Sequence, residues 1–342
     1  MLRLGVIGLR NIGRNHIRQS QRTSEEVRVI AGADLDSERC SQSQEEFDLD
    51  WTTTDSTELI EHPDIDGVVL ALPNQLHAPL TIQALEAGKH VLVEKPICGK
   101  SSEVEGMIQA RDASGKVLMV GHNQRFSPKV YALKQALKEG RFGKIYNAKT
   151  FWNRREMGDA PLQRGPWGFL EEKAGGGPML DLGIHKLDQL LFLLGFPKPT
   201  LVSGFLSKGI GQDALKPLGV DYTVEDFATG LIHCEEGLCI QVESSYYHAQ
   251  KEGEIQGTTL SGTQGLIDNL DTYSMKKGEL EAFDLEPDQS APTSCVEHFT
   301  RVIQGKEELQ CTAEEATQAL RLVEAIYLSA KQQQPVTMES IS

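Results

Sequence analysis

Two carboxylates and an imidazole lie close together in the segment that reads GGGPMLDLGIHKLDQLLFLLG, residues 175 to 195. If this segment is helical, Asp181, His185 and Asp188 stand at positions i, i+4 and i+7 and share one face of the helix. Histidine titrates near neutral pH, and a neighbouring carboxylate can fix its tautomer and stabilise its charged form. The arrangement therefore suits proton transfer. The alternative interpretation is the solvated edge of a packed helix, because Asp and His are common on helix surfaces.

The residues around this group predict a helix over 178–194. Pro178 suits the first turn of a helix, and Gly195 is placed to end it. Apolar residues recur at spacings of four and three, which predicts a stripe facing the core; they are Leu180, Ile184, Leu187, Leu191 and Leu194. The three glycines before Pro178 are interpreted as a flexible hinge.

Composition favours small-molecule chemistry. The 342 residues are enough for two domains of ordinary size. The 49 acidic and 34 basic residues give a formal charge of −15, which argues against nucleic acid or an anionic membrane as the main partner. The six cysteines show neither a C-x-x-C pair nor metal-ligand spacing, so we expect reduced thiols and no metal site. The first residues resemble no signal peptide, and no apolar run approaches ~20 residues, so we expect a cytoplasmic protein.

The first residues have the pattern of a dinucleotide-binding βαβ unit. A buried strand over 2–7 runs into a turn from Gly8 to Gly13, a helix follows, and a second strand over 27–33 ends at Asp34. In such a unit Gly8 permits the tight turn and Gly13 lets the helix pack on the strand. The carboxylate of Asp34 is placed to accept hydrogen bonds from ribose hydroxyls.

This turn departs from the usual fingerprint at its middle glycine, where the chain has Arg10. A guanidinium there could pair with a pyrophosphate, or it could obstruct the approach of the phosphates. Asn11 and Ile12 complete the turn at the N-terminus of the predicted helix, where phosphates bind. A simple tight βα turn without a ligand is the structural alternative.

Strands and helices continue to alternate as far as strand 117–120, which predicts a doubly wound parallel sheet. Ligands of such sheets bind at the carboxyl ends of the strands. The residues that follow predicted strands and should meet at that edge are Gly8, Asp34, Pro73, Asn74, His77, Lys95 and His122. From residue 123 the pattern changes to a helix, 128–139, and then to runs rich in β-branched residues that predict a mostly antiparallel sheet. A long helix over 312–332 starts with a predicted capping box of Thr312 and Glu315.

Together these motifs resemble the Gfo/Idh/MocA oxidoreductases, the group that includes glucose-fructose oxidoreductase and inositol dehydrogenase. The resemblance rests on the Gly8–Gly13 turn, Asp34, NQLHAPLTIQALEAGKHVLVEKPI (74–97), GHNQRFSP (121–128) and GGGPMLDLGIH (175–185). It implies an α/β protein with an N-terminal Rossmann domain, 1–122. It also implies a C-terminal α+β domain, 123–342, whose large open sheet pairs subunits into a homodimer or homotetramer.

The resemblance also implies roles for individual residues. His185 takes a hydroxyl proton, Lys95 hydrogen-bonds the same oxygen, and Asp181 orients His185 or a neighbouring hydroxyl. For Lys95 the alternative is a surface salt bridge with Glu94. The implied cofactor contacts are Gly8, Arg10, Asn11, Ile12, Gly13, Asp34, Pro73, Asn74, His77, Glu94, Lys95 and Pro96.

The cofactor is expected to be NAD, because the carboxylates of Asp34 and Asp36 would repel the 2′-phosphate of NADP. NADP remains the alternative cofactor, because the guanidinium groups of Arg10 and Arg39 could pair with its 2′-phosphate.

Candidate substrate contacts come mainly from the second half of the chain. The aperiodic stretch from Arg154 to Lys173, with Gln163, Arg164 and Trp167, predicts a pocket wall on which a sugar stacks, or else an oligomer contact. The candidates are His122, Asn123, Arg125, Asn153, Arg154, Trp167, Tyr246 and His248. His122 could equally be a buried histidine.

The expected reaction is hydride transfer between a nicotinamide and a secondary alcohol of a sugar, inositol or related polyol. Three other classes remain: a glycoside hydrolase that recycles bound NAD, an NADPH-dependent reductase of an aldehyde or imine, and a non-catalytic nucleotide-binding protein.

Overall fold

The computed structural model describes residues 1–23, 26–156 and 166–341. Contacts between residues divide the chain into two compact units. The first unit comprises Met1–Asn123 and Pro292–Thr317, and the second comprises Gln124–Ala291 and Gln318–Ser342. The sequence-based division after residue 122 placed Pro292–Thr317 in the second domain, whereas its contacts group it with the first unit.

The first unit is built on a six-stranded parallel sheet. Its strands are β1 (Leu2–Ile7), β2 (Val27–Ala33), β3 (Trp51–Thr53), β4 (Gly67–Leu70), β5 (His90–Val93) and β6 (Leu118–Val120). They lie in the order β3-β2-β1-β4-β5-β6, and every neighbouring pair is parallel. The direction of winding reverses between β1 and β4, which is where doubly wound sheets open a crevice for a ligand. The predicted doubly wound sheet is confirmed.

Helices connect these strands. They are α1 (Asn11–Thr23), α2 (Ser37–Phe47), α3 (Ser56–Glu61), α4 (His77–Glu86) and α5 (Val104–Ser114), with Cys295–Ile303 packed against α1. The cap of α2 is Asp36, whose carboxylate accepts the backbone N–H groups of Glu38 and Arg39 at 3.1 Å each. This cap fixes where α2 begins, directly after the end of β2.

The second unit holds a nine-stranded sheet. Its strands are β7 (Ile145–Arg154), β8 (Pro199–Ser207), β9 (Phe227–Cys234), β10 (Cys239–Ser245), β11 (Glu254–Gly262), β12 (Gly265–Asp268), β13 (Asp271–Lys276), β14 (Glu279–Phe283) and β15 (Val336–Thr337). Their order is β14-β13-β12-β11-β7-β10-β9-β8-β15. Only β7 and β10 run parallel, so the predicted mostly antiparallel sheet is confirmed.

The remaining helices are α6 (Pro128–Lys138), α7 (Glu171–Ala174), α8 (Ile184–Leu194), α9 (Ile210–Leu215), α10 (Cys295–Ile303, in the first unit) and α11 (Ala313–Gln332). None of the helices in the described ranges is both long enough and apolar enough to cross a lipid bilayer.

One face of the nine-stranded sheet is covered by helices. Along β7, Ala148 and Thr150 are fully buried, and α8 lies against this strand. A side chain at Gly204 of β8 would place its Cβ 2.1 Å from the carbonyl oxygen of Ile326, so α11 packs directly on the backbone of the sheet. The predicted cap of α11 is confirmed, since the hydroxyl of Thr312 accepts the N–H of Glu315 at 3.2 Å. Alternate residues of β7 point to opposite faces of the sheet. The even-numbered residues of this strand therefore share the helix-covered face of Ala148 and Thr150.

His90, at the start of β5, makes the first unit sensitive to acid. Burial, and then the charge of Lys116, lower the pKa of His90 from 6.5 to about 4, and its Nδ1 accepts the N–H of Val117 at 3.1 Å. Below pH 6.5 the unfolded chain binds this proton more readily than the folded chain does, so stability falls as pH drops from 6.5 toward 4. We expect His90→Gln to flatten the stability profile from urea unfolding over this interval, whereas His233→Gln, at an exposed position of β9, should leave its slope unchanged.

Candidate active site

The glycine turn after β1 is too crowded for any other residue at two positions. Gly8 has a φ of +96°, and a Cβ there would lie 2.1 Å from the carbonyl oxygen of Ala71, at the end of β4. A Cβ at Gly13 would lie 1.8 Å from the carbonyl oxygen of Gly8. The first turn of α1 therefore lies directly on the turn, and the predicted backbone roles of Gly8 and Gly13 are confirmed.

The N-terminus of α1 is open to solvent. Arg10 and Asn11 are exposed, and so is 53% of Ile12, a large apolar residue. A helix N-terminus of this kind, with open backbone N–H groups, suits a pyrophosphate.

Asp34 joins the glycine turn to the end of β2. One carboxylate oxygen accepts the N–H of Leu9 at 2.8 Å; the other accepts the guanidinium of Arg39 at 2.6 Å and the N–H of Asp36 at 3.1 Å. Arg39 also donates to Asp36 at 2.9 Å. A carboxylate has about four lone-pair positions, so Asp34 retains capacity for a ribose hydroxyl. The guanidinium of Arg39 is thus paired with both acids.

The loop after β4 contains Pro73 and Asn74, both partly buried, and leads to His77. His77 is fully buried, with one ring nitrogen 2.8 Å from the carbonyl oxygen of Pro96 and the other 2.9 Å from that of Leu72. Burial lowers the pKa of His77 despite these bonds. The imidazole ties the loops after β4 and β5 together, so the predicted direct contact of this ring with a cofactor is corrected: His77 positions the loops.

The alternative interpretation of Lys95, a surface salt bridge with Glu94, requires an exposed carboxylate at the end of β5. Glu94 is not such a surface group. Its side chain is 13% exposed, and its carboxylate lies 2.7 Å from Nε2 of His16 on α1 and accepts the N–H of Lys95 at 3.2 Å. Burial opposes ionisation, but the bond to His16 and the charges of His16 and Lys95 hold the pKa of Glu94 below its usual value. The peptide bond between Lys95 and Pro96 is cis. Sequence reasoning missed His16, which links α1 to the loop that carries Lys95.

Arg125 was predicted as a substrate contact, and the structure corrects this. Its guanidinium is fully buried and donates twice to Asp188 of α8, at 2.8 and 2.6 Å. The rings of Phe192 and Phe196 lie 5.0 Å away. Asp188 is therefore part of a buried ion pair and cannot belong to a solvated helix edge. In the first unit, His122 is buried and Asn123 is exposed.

The predicted helix over 178–194 is confirmed, but its first turn is wider than an α-helical turn. Met179–Gly183 form a π-helical turn in which the N–H of Ile184 reaches the carbonyl of Met179, and α8 continues from Ile184. Such turns are frequent at functional sites. Apart from His185 and Leu194, every residue of α8 is buried. His185 is thus a partly exposed imidazole on an otherwise buried helix.

The glycines before this turn pack tightly, which corrects the interpretation as a flexible hinge. The Cβ of any side chain at Gly176 would lie 2.3 Å from the hydroxyl of Tyr327, and one at Gly177 would lie 2.7 Å from the carbonyl oxygen of Glu225. The carboxylate of Glu225 accepts the N–H of Gly177 at 2.8 Å, the N–H of Met179 at 3.2 Å and the hydroxyl of Tyr327 at 2.8 Å. The buried carboxylate of Glu225, two residues before β9, therefore caps the π-helical turn. Burial raises the pKa of Glu225, against the effect of these hydrogen bonds.

An aromatic and polar group, which we call the His185 cluster, surrounds the exposed part of α8; it consists of Asp181, His185, Trp152 and Tyr246. The hydroxyl of Tyr246, itself buried, donates to Asp181 at 2.8 Å. The ring of Trp152 lies 5.9 Å from that of His185, tilted by 43°. Trp152 was not predicted, although it lies two residues beyond Thr150 on the helix-covered face of β7.

The other predicted substrate residues divide between the two faces of β7 and the loop beyond it. Asn153 points to the face opposite Trp152 and donates to Glu243. Arg154 donates to Glu254 at 2.7 Å, and its guanidinium lies 5.8 Å from the ring of Trp152. Trp167 is partly buried in the turn Pro166–Phe169, while Gln163 and Arg164 lie outside the described residues.

Comparison with known proteins places the chain in a family. Residues 2–122 match the model for an oxidoreductase family with an NAD-binding Rossmann fold, GFO/IDH/MocA, and residues 130–268 match the GFO/IDH/MocA C-terminal domain. D-glucoside 3-dehydrogenase of Escherichia coli (strain K12) is 30% identical over 82% of this chain and 81% of its own length. The chain belongs to the Gfo/Idh/MocA oxidoreductase family.

Two further relatives span nearly the whole chain. A 1,5-anhydro-D-fructose reductase of Ensifer adhaerens is 27% identical over 99% of both chains. A structure of levoglucosan dehydrogenase in complex with NADH and levoglucosan superposes with a TM-score of 0.84 at 22% identity, covering 98% of this chain and 99% of that one. At that identity the superposition shows the fold.

As a member of this family, the protein is an NAD-binding oxidoreductase. The residues of the first unit fit the nucleotide: the crowded turn at Gly8 and Gly13 leaves no room for a side chain, and Asp34 offers acceptors beside it. Within the described residues, no group of three or more His, Cys, Asp or Glu side chains is arranged to hold a metal ion.

Proposed function

We propose that this oxidoreductase transfers a hydride between a secondary alcohol of a sugar, inositol or related polyol and NAD. The observation that carries the proposal is the His185 cluster. In it the partly exposed imidazole of His185 lies near the ring of Trp152, and the carboxylate of Asp181, four residues earlier, accepts a hydrogen bond from Tyr246. The bound nicotinamide supplies the redox chemistry. The protein binds and orients the alcohol and manages its proton.

His185 takes the hydroxyl proton as the alcohol becomes a carbonyl. Lys95 hydrogen-bonds the alcohol oxygen and favours its alkoxide character. The hydrogen bond from Tyr246 restrains the carboxylate of Asp181, which orients His185 or a neighbouring hydroxyl of the substrate. Tyr246 is a positioning residue in this scheme.

The ring of Trp152 suits a sugar, because the apolar face of a pyranose packs against aromatic surfaces. The names of the relatives point the same way, since they describe proteins acting on a glucoside, an anhydrofructose and levoglucosan. We infer a cyclic polyhydroxylated substrate from this combination.

NAD is preferred over NADP in this proposal because Arg39 is paired with Asp34 and Asp36. We expect Asp34→Ser to weaken NAD binding by ~10-fold, through loss of the ribose acceptor, and to strengthen NADP binding by releasing Arg39. Calorimetric titration of both nucleotides measures the change. Glu38→Gln, which alters a neighbouring exposed acid on α2, is the matched control; an equal effect there would indicate a general charge effect.

The reaction is tested by following NADH formation with the purified protein, NAD or NADP, and a panel of inositols, sugars and sugar acids. Formation of NADH with a member of the panel supports the proposal. Glycosidic cleavage without net NADH would favour the recycling hydrolase, and consumption of NADPH with aldehydes or imines would favour a reductase. Nucleotide binding without turnover of any kind would favour a non-catalytic protein.

We also propose that the protein is a cytoplasmic homodimer or homotetramer, paired through the sheet face opposite α8. By strand register, this face exposes the large apolar residues Phe205, Leu231, Met275 and Leu280. The six cysteines are free thiols, which suits a reducing compartment. Light scattering of the wild-type protein and of Phe205→Glu measures the assembly, and a wild-type monomer would contradict it.

A further inference from the structure

Lys186 is a buried cation beside the His185 cluster that the proposed reaction does not use. It follows His185 on α8, its exposed fraction is 8%, and its ammonium lies 5.7 Å from the centroid of the Trp152 ring. That same ring lies 5.9 Å from the imidazole of His185. Lys186 therefore stands next to the surface on which the proposed substrate packs.

Within the ranges that the structure describes, Lys186 has no carboxylate partner. Burial lowers the pKa of Lys186, and no acidic side chain among residues 1–23, 26–156 and 166–341 offsets that effect. The other cation at the Trp152 ring, Arg154, differs in this respect because it is paired with Glu254 at 2.7 Å. An ammonium removed from water without a counter-ion is unfavourable, and a cation–π contact offsets only part of the cost.

We propose that Lys186 and Trp152 form a subsite for the carboxylate of a sugar acid. This inference rests on the proposed function, because it assigns a substrate class to the same site. A bound carboxylate would provide the missing counter-ion, and the indole would hold the sugar ring. One ammonium matches the single charge of a carboxylate. A phosphate would call for more positive charge or for a guanidinium fork, and the guanidinium of Arg154 is already engaged.

The test is equilibrium binding, which needs no turnover. Matched pairs of a neutral sugar and its uronic acid, such as glucose with glucuronate and galactose with galacturonate, are titrated into the NADH-loaded protein by calorimetry. We expect an acid of the panel to bind at least ~10-fold more tightly than its neutral partner, a difference of about 1.4 kcal/mol. Lys186→Met, which keeps the apolar stem on Trp152, should abolish that preference, and Lys186→Arg should retain most of it.

Lys149→Met is the matched control, because it removes an exposed lysine that lies 5.6 Å from the ring of Phe151 on the opposite face of β7. It should leave the preference intact. Equal or weaker binding of every acid by the wild-type protein overturns the inference, and so does a preference that survives in Lys186→Met. If neutral alcohols still form NADH, either result rejects the subsite but not the proposed function. If no alcohol forms NADH while the preference for acids depends on Lys186, the proposed reaction is rejected and the subsite is retained.

Discussion

Replacing His185 with asparagine is expected to lower kcat by ~100-fold or more, because asparagine cannot accept a proton from the substrate hydroxyl near neutral pH. NAD affinity should change by no more than a few fold, since the turn at Gly8 and Gly13 and the acceptor Asp34 belong to the first unit. Lys95→Met should produce a loss of similar size by removing the ammonium that favours alkoxide character. Steady-state kinetics and calorimetry of NAD binding separate the two quantities.

His233→Asn provides the control for this experiment, since His233 is an exposed histidine on β9 of the same unit and should leave kcat unchanged. If His185→Asn and Lys95→Met each weakened NAD binding as much as they lowered kcat/KM, both residues would belong to the nucleotide site and the assignment of proton transfer to His185 would be wrong.

The buried pair of Arg125 and Asp188 should show the largest effect on stability. In Arg125→Met the carboxylate of Asp188 stays fully buried without its bidentate partner, and we expect a loss of about 3–5 kcal/mol in the free energy of unfolding. Urea unfolding measures this loss. The double variant Arg125→Met with Asp188→Leu should be less destabilised than the sum of the single variants, because it removes both charges together.

Lys276→Met is the matched control, because Lys276 pairs with Glu281 at 2.6 Å while both side chains are more than half exposed. Such a pair contributes at most about 1 kcal/mol. A loss below about 1 kcal/mol for Arg125→Met, or strict additivity in the double variant, would contradict the account of Asp188 as a carboxylate that depends on Arg125.

Much of the first unit could be predicted from the sequence because its signals are local. Most of the parallel strands are largely apolar runs, and the residues that directly follow them in the chain include Gly8, Asp34 and Glu94. The start of helix α2 is marked in the same way, because its cap, Asp36, directly precedes it in the chain. The three-residue edge strand β3 was not predicted, since Trp51–Thr53 is too short to show a period.

The errors at the site arose where a distant residue determines the environment. The glycines at 176 and 177 suggested freedom of the backbone, but Tyr327 and Glu225, far along the chain, pack against them. Asp188 matched the spacing of Asp181 and His185, but Arg125 draws it into the core. The first turn of this helix, Met179–Gly183, is also π-helical, which no α-helical periodicity anticipates.

Trp152 was missed for the same reason, and Tyr246 was predicted as a possible substrate contact but not as a partner of Asp181. Trp152 is 33 positions before His185, and Tyr246 is 65 positions after Asp181, so only the pairing of β7 with β10 brings them together. The alternation of buried and exposed residues along β7 could have identified Trp152. With Ala148 and Thr150 recognised as facing the core, Trp152 falls on the side of α8, and Asn153 falls on the other side.

The most direct test of the central claim follows the transferred hydrogen. A substrate identified in the NADH assay is prepared with deuterium on the carbon that is oxidised, and the cofactor is recovered after turnover and weighed by mass spectrometry. The account predicts reduced cofactor that carries one deuterium and a product that has lost it. Cofactor recovered as unlabelled NAD, alongside a cleaved product, would contradict net hydride transfer.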